Sequence, residues 1–128
     1  MNNPVVWFEI YVSDMERSKK FYQTLIGADL IGMENPVPER TQMKMMGFPF
    51  DEKSNGCSGA LIQMDGMPLG SSNGVIVYFK SEECEKLAEK MQTLGAHIVK
   101  PKTSIGEHGY FCLIKDPDSN IIGLHSMN

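Results

Sequence analysis

A single acid interrupts the first apolar run of the chain. Residues 5–12 read Val-Val-Trp-Phe-Glu-Ile-Tyr-Val, and Glu9 is their one charge. A carboxylate inside such a strand costs free energy unless it is paired or protonated. Glu9 therefore either anchors a ligand or acts as a general base, or it pairs with Lys80, His125 or a cation from a partner chain. Strand alternation sets Trp7, Glu9 and Tyr11 on one face and Phe8, Ile10 and Val12 on the other. His125 is a second candidate acid–base group, because imidazole titrates near neutrality; the plain alternative is a surface or edge histidine. Glu107-His108 sits between Gly106 and Gly109, which reads as a hairpin turn or as a loop gating a cleft. His97 has no suggestive neighbour. Cys57, Cys84 and Cys112 lack Cys-x-x-Cys spacing and a histidine at nucleophile–base spacing, so they read as reduced thiols in a cytoplasmic protein.

The elements that must position these residues are legible in outline. Val5 to Val12 is a strand rich in β-branched and aromatic residues. Ser13-Asp14-Met15-Glu16 reads as a capping box, with Ser13 as the cap. Met15, Ser18, Tyr22, Leu25 and Ile26 follow at helical spacing, and Gly27 ends the helix. Ala28 to Met33, Gln42 to Met46 and Ser58 to Met64 are three further strands, separated by a break at Asn35-Pro36-Val37-Pro38 and a loop through Asn55-Gly56. Met43, Met45 and Met46 form an adaptable apolar wall or simply fill a core. Asp65 to Gly74 holds three glycines and a proline and reads as a linker.

The pattern then repeats. Val75 to Lys80 is a strand, Ser81 caps a helix striped by Cys84, Leu87, Ala88, Met91 and Leu94, and Gly95 ends it. His97 to Val99, Gly109 to Lys115 and Ile121 to His125 are strands, with the turn Asp116-Pro117-Asp118-Ser119-Asn120 between the last two. The first helix ends Gln23-Thr24-Leu25-Ile26-Gly27-Ala28 and the second Gln92-Thr93-Leu94-Gly95-Ala96. Each helix has one strand before it and three after it. The fold class is α+β, built from two βαβββ modules that must pair to bury their sheet faces. The chain reads as a single domain over 1–128, with module one about 4–65, a linker about 65–74 and module two about 75–128.

Composition excludes several functions. Hydrophobic residues are 41% and charged residues 22% of 128, as in ordinary globular domains. The net charge of -4 opposes a nucleic-acid or anionic-membrane surface. No apolar run approaches the ~18 residues of a membrane span. Met1-Asn2-Asn3-Pro4 lacks the basic and apolar segments of a signal peptide.

At two places the chain resembles a known family. Residues 7–22, from Trp7-Phe8-Glu9 to Phe21-Tyr22, resemble the first strand and helix of the vicinal oxygen chelate superfamily, which holds glyoxalases, bleomycin-resistance proteins and dioxygenases. Asp116-Pro117-Asp118-Ser119-Asn120-Ile121-Ile122-Gly123-Leu124 resembles its closing signature, with Ser119 in place of the usual glycine. The nearest subgroup is small bacterial glyoxalase-related proteins of unassigned substrate. The resemblance implies curved sheets with helices on the convex side and a ligand cleft between paired concave faces. It also implies four metal-ligand positions in metal-dependent members. Carried across, these fall on Trp7, Ala60, Ile76 and Gly123, none of which offers a donor side chain.

The cleft would then be lined by Trp7, Glu9, Tyr11, Ala60, Ile62, Tyr78, Gly123 and His125, with small residues at Ala60 and Gly123 leaving room in its floor. Three functions follow. The first is a metal-independent module binding a small organic ligand in an apolar cleft, with no cofactor. The second is a lyase- or isomerase-like enzyme transferring a proton through Glu9, with or without His125. The third is a metal-dependent glyoxalase or dioxygenase with relocated ligands among Glu9, His125 and Glu107. A homodimer is expected, since curved sheets leave edges for another chain to cover.

Overall fold

The computed structural model describes residues 3, 5–34, 43–66, 69 and 75–128. The break at residues 35–38 and most of the expected linker lie outside them. The element order is β1 (Trp7–Tyr11), α1 (Met15–Ile26), β2 (Ile31–Met33), β3 (Lys44–Gly47), β4 (Ser58–Gln63), β5 (Val77–Lys80), α2 (Cys84–Gln92), β6 (His97–Ser104), a short 3-10 turn (Gly106–His108), β7 (Tyr110–Lys115) and β8 (Ile121–Ser126). This is α+β, with two βαβββ modules in sequence. Contacts divide the chain into two compact units, Met1–Gln23 with Gly27–Pro68 and Thr24–Ile26 with Leu69–Asn128.

In the first unit the sheet order is β1-β4-β3-β2, and β1 runs parallel to β4 while the other pairs are antiparallel. In the second the order is β5-β8-β7-β6 with the same alternation of sense. The repeat extends to individual hydrogen bonds. Val12 N donates to Ile62 O, and Ser81 N to His125 O, each at 2.8 Å. The first helical N–H of α1, on Met15, donates to Gln63 Oε1 at 2.7 Å; that of α2, on Cys84, donates to Ser126 Oγ at 3.0 Å. In each module the end of the last strand supplies a partner for a helix N–H that has none within the helix.

The helix caps differ from the sequence reading by one or two residues. Asp14, not Ser13, is the N-cap of α1: its carboxylate accepts from Arg17 N at 3.2 Å, while Ser13 Oγ accepts from the Arg17 guanidinium at 3.0 Å. A carboxylate there also faces the positive end of the helix dipole. For α2 the cap position falls on Glu83, and Ser81 Oγ donates to His125 O at 3.1 Å. The shared helix terminus has a physical cause. Ala28 N donates to Gln23 O and Ala96 N to Met91 O, five residues back, with Gly27 (φ 68) and Gly95 (φ 94) turning the chain ahead of them. That closure needs a left-handed residue, which glycine supplies without steric cost.

Packing follows alternation. Ile10 and Val12 are buried, and Phe8 meets Phe48 at 5.3 Å between centroids, which in turn meets Tyr22 of α1 at 5.8 Å. This is the helix-facing side of the first sheet. In the second unit Cys84, Ala88 and Met91 of α2 are buried, as are Cys112, Ile114, Ile122 and Leu124 of the strands. β6 runs five residues beyond the expected Val99, with register shifts around Lys100 and Pro101. An edge strand tolerates a proline and polar residues that hide it from a hydrophobicity reading.

Candidate functional site

The face of β1 turned away from the helix carries an organised polar group. Glu9 Oε1 accepts from the Tyr11 hydroxyl at 2.8 Å and Glu9 Oε2 accepts from the Trp7 indole N–H at 3.3 Å. The three side chains alternate along one extended strand, so the flanking donors reach the central carboxylate from both sides. Glu9 is exposed, Trp7 is 41% exposed, and Tyr11 is half-buried. The carboxylate thus stands at the surface, held by neutral donors from its own strand. Among the described residues of its own unit it forms no ion pair, and, exposed as it is, the cost of a buried charge does not arise.

Next to this triad the same face is closed. Ala60 and Ile62, paired in register with Glu9 and Tyr11, are fully buried. They cluster with Met43 and Met45, and Tyr11 and Met64 pack on the cluster. Methionine fills such gaps with an unbranched, flexible chain. Two of the methionines expected to form an apolar wall are in it, whereas Met46 pairs with Leu61 on the helix side.

In the second unit Tyr78 is registered with Gly123, and its ring covers the glycine so closely that a Cβ there would collide with it. Tyr78 is 50% exposed and meets Phe111 edge-on at 6.4 Å. Phe111, opposite His125 in the ladder, is a site-face residue that the sequence reading missed; the alternation of β7 against β8 would have found it. The His125 Nε2 lies 2.7 Å from the carbonyl of His108, to which the N–H donates in the matching tautomer. This ties the Gly106–His108 turn to β8. Glu107 and His108 are exposed side chains 3.8 Å apart. Glu9 and His125 belong to different units.

The residues present do not fit the metal implied by the resemblance. Trp7, Ala60, Ile76 and Gly123 place an indole, a methyl, an alkyl chain and no side chain at the four positions, and the Tyr78 ring takes the space over the last. Among the described residues no group of three or more His, Cys, Asp and Glu is placed to hold an ion. A small hollow lies on the helix side of the second sheet, lined by Ala88, Ile98, Pro101, Lys102 and Cys112 with two α2 glutamates. Burial pushes the Cys112 thiol up to about 12, helped by the adjacent Cys84, so Cys112 does not read as a nucleophile.

A βαβββ repeat of this order and register defines a class of proteins, and comparison with known proteins agrees. A profile of the Glyoxalase/Bleomycin resistance protein/Dioxygenase superfamily matches residues 5–124. The chain belongs to that superfamily. It is 27% identical over 126 residues to the CFP32 protein of Mycobacterium bovis, whose glyoxylase name is provisional. That match covers 95% of this chain but 45% of the relative, so the chain spans about half the length of this curated protein. Among solved structures, the hypothetical protein SA1046 of S. aureus superposes with a TM-score of 0.64 at 24% identity, over 95% of this chain and 96% of that one. Glyoxalase I from Zea mays superposes with a TM-score of 0.70 at 20% identity, over 97% of this chain and 46% of that one. At such identities the structural likeness shows the fold.

Proposed function

We propose that this protein binds a small organic ligand in an apolar cleft, without the metal site of the superfamily's metal-dependent members. The observation that carries this reading is the Trp7–Glu9–Tyr11 arrangement: an oriented carboxylate between two aromatic side chains on the exposed part of a sheet face. Apolar surface with a few fixed polar groups suits a small organic molecule. The donor-free positions at Trp7, Ala60, Ile76 and Gly123 support the metal-independent half. In the same reading the protein works as a cytoplasmic homodimer, its sheet edges being available to a second copy.

The test has two parts. Elemental analysis of the purified protein should find no stoichiometric Zn, Ni, Fe or Mn. Thermal melts against a panel of small aromatic compounds should show a dose-dependent rise for at least one. Close to one tightly held ion per chain, or a panel without effect, would count against the proposal.

A second reading keeps the same residue. The exposed Glu9 carboxylate retains acceptor capacity on both oxygens, as a base for a small carbonyl substrate would need. His125 is the weaker candidate for a second acid–base group, because its Nε2 is engaged by the His108 carbonyl. Turnover of an added carbonyl compound, lost in Glu9→Gln while ligand binding persists, would establish it.

A further inference from the structure

We propose that the ligand is an organic cation with an apolar body, recognised by the Glu9 carboxylate and the Trp7 and Tyr11 rings; this rests on the reading of that face as a ligand site. Three observations point the same way. First, Glu9 places its carboxylate at the surface, and the two hydrogen bonds it accepts among the described residues come from neutral donors, the Trp7 N–H and the Tyr11 hydroxyl. These donors orient the charge without neutralising it. Second, no Lys or Arg among the described residues of its own unit pairs with it, although the ladder would allow a cation opposite: its register partner is Ala60. Third, the charge is flanked at i-2 and i+2 by two aromatic rings, Trp7 41% exposed and Tyr11 half-buried against the closed methionine cluster.

A negative charge fixed between π systems is complementary to an ammonium or guanidinium group. The carboxylate attracts it directly, a cation that also reaches over a ring face gains from the ring quadrupole, and the exposed part of the Trp7 ring receives the apolar remainder. An anionic ligand would meet the carboxylate with like charge, and a neutral one would gain only the apolar contacts. Charge complementarity therefore selects among small organic molecules of similar size.

Trp7 is the one tryptophan of the chain, so its emission reports this face alone. Wild-type protein and Glu9→Gln would be titrated with benzyltrimethylammonium, benzyl alcohol and phenylacetate at low and high salt. We expect saturable change with the cation, at least fivefold weaker binding of the alcohol, and weaker still of phenylacetate. Added salt should weaken the cation only, and Glu9→Gln should abolish its advantage; a melt of the variant confirms that it is folded. Alcohol or phenylacetate binding as tightly as the cation, or an advantage that survives in Glu9→Gln, overturns the cation assignment and leaves the ligand site standing. No saturable response to any of the three overturns both.

Discussion

The isosteric change Glu9→Gln separates two roles that the residue's place in an apolar strand leaves open. The carboxylate is exposed, and among the described residues of its own unit it is bonded to Trp7 and Tyr11. Unfolding free energy should therefore change by under about 1 kcal/mol, as for other surface changes, while ligand binding weakens by about 1–3 kcal/mol if a charged hydrogen bond is lost. A stability loss of about 3–5 kcal/mol would instead indicate one member of a buried ion pair. Two glycines make a paired prediction. A Cβ at Gly59 would collide with the backbone carbonyl of Phe8 as well as its ring, whereas at Gly123 the three nearest atoms all belong to the Tyr78 ring. Both substitutions to alanine should destabilise by about 1–3 kcal/mol as overpacking does. Gly59→Ala should cost more, and Tyr78→Ala should relieve Gly123→Ala but leave Gly59→Ala unimproved. Chemical denaturation of the four variants checks the order; equal costs would mean that the Tyr78 ring does not lie over Gly123.

The helix α2 and the turn before β8 carry predictions of their own. Cys112 is buried beneath α2 and its thiol is raised from 9.0 to about 12, first by desolvation and then by Cys84. The folded state thus holds that proton more tightly than the unfolded chain. Its contribution to stability is full below pH 9.0 and is lost as pH rises toward 12. Melting temperatures should fall less steeply across that window in Cys112→Ala than in wild type, whatever the offset from the smaller side chain. Parallel curves would contradict the assignment. In the turn, buried Asp116 accepts from Asp118 N and Asn120 N, and Ser119 takes φ 66. Ser119→Gly should stabilise by up to about 1 kcal/mol, because the left-handed region costs a Cβ; a loss of stability would refute this. This is the scale at which the sequence was most legible. The two helix stops, the order of elements along the chain and the alternation of β1 and β8 follow from glycine placement and hydrophobic pattern. The N-caps were misplaced because Ser13 and Asp14 are both good caps and only the local geometry decides between them. The tail of β6 was missed because Lys100, Pro101 and Lys102 carry no strand signal. Within the candidate site, alternation grouped Trp7, Glu9 and Tyr11. It gave no sign that Tyr11 packs on a closed methionine cluster, or that a loop carbonyl engages His125, since both depend on segments distant in sequence.

For the molecule as a whole, the superfamily's architecture is retained while the four positions implied for its metal hold Trp7, Ala60, Ile76 and Gly123. If the homodimer expectation holds, light scattering at micromolar protein will give twice the 14.3 kDa of the chain; a monomeric mass would remove it. Neither result bears on the Trp7 face directly, because binding there and assembly are separate properties of the sheet. The most direct test of a metal-independent ligand site is a titration of Trp7 emission with benzyltrimethylammonium in protein dialysed against EDTA, repeated after adding back Zn, Ni, Fe or Mn. The account predicts a saturable change whose midpoint is the same with and without added metal. Binding that appears only after a metal is restored would contradict it.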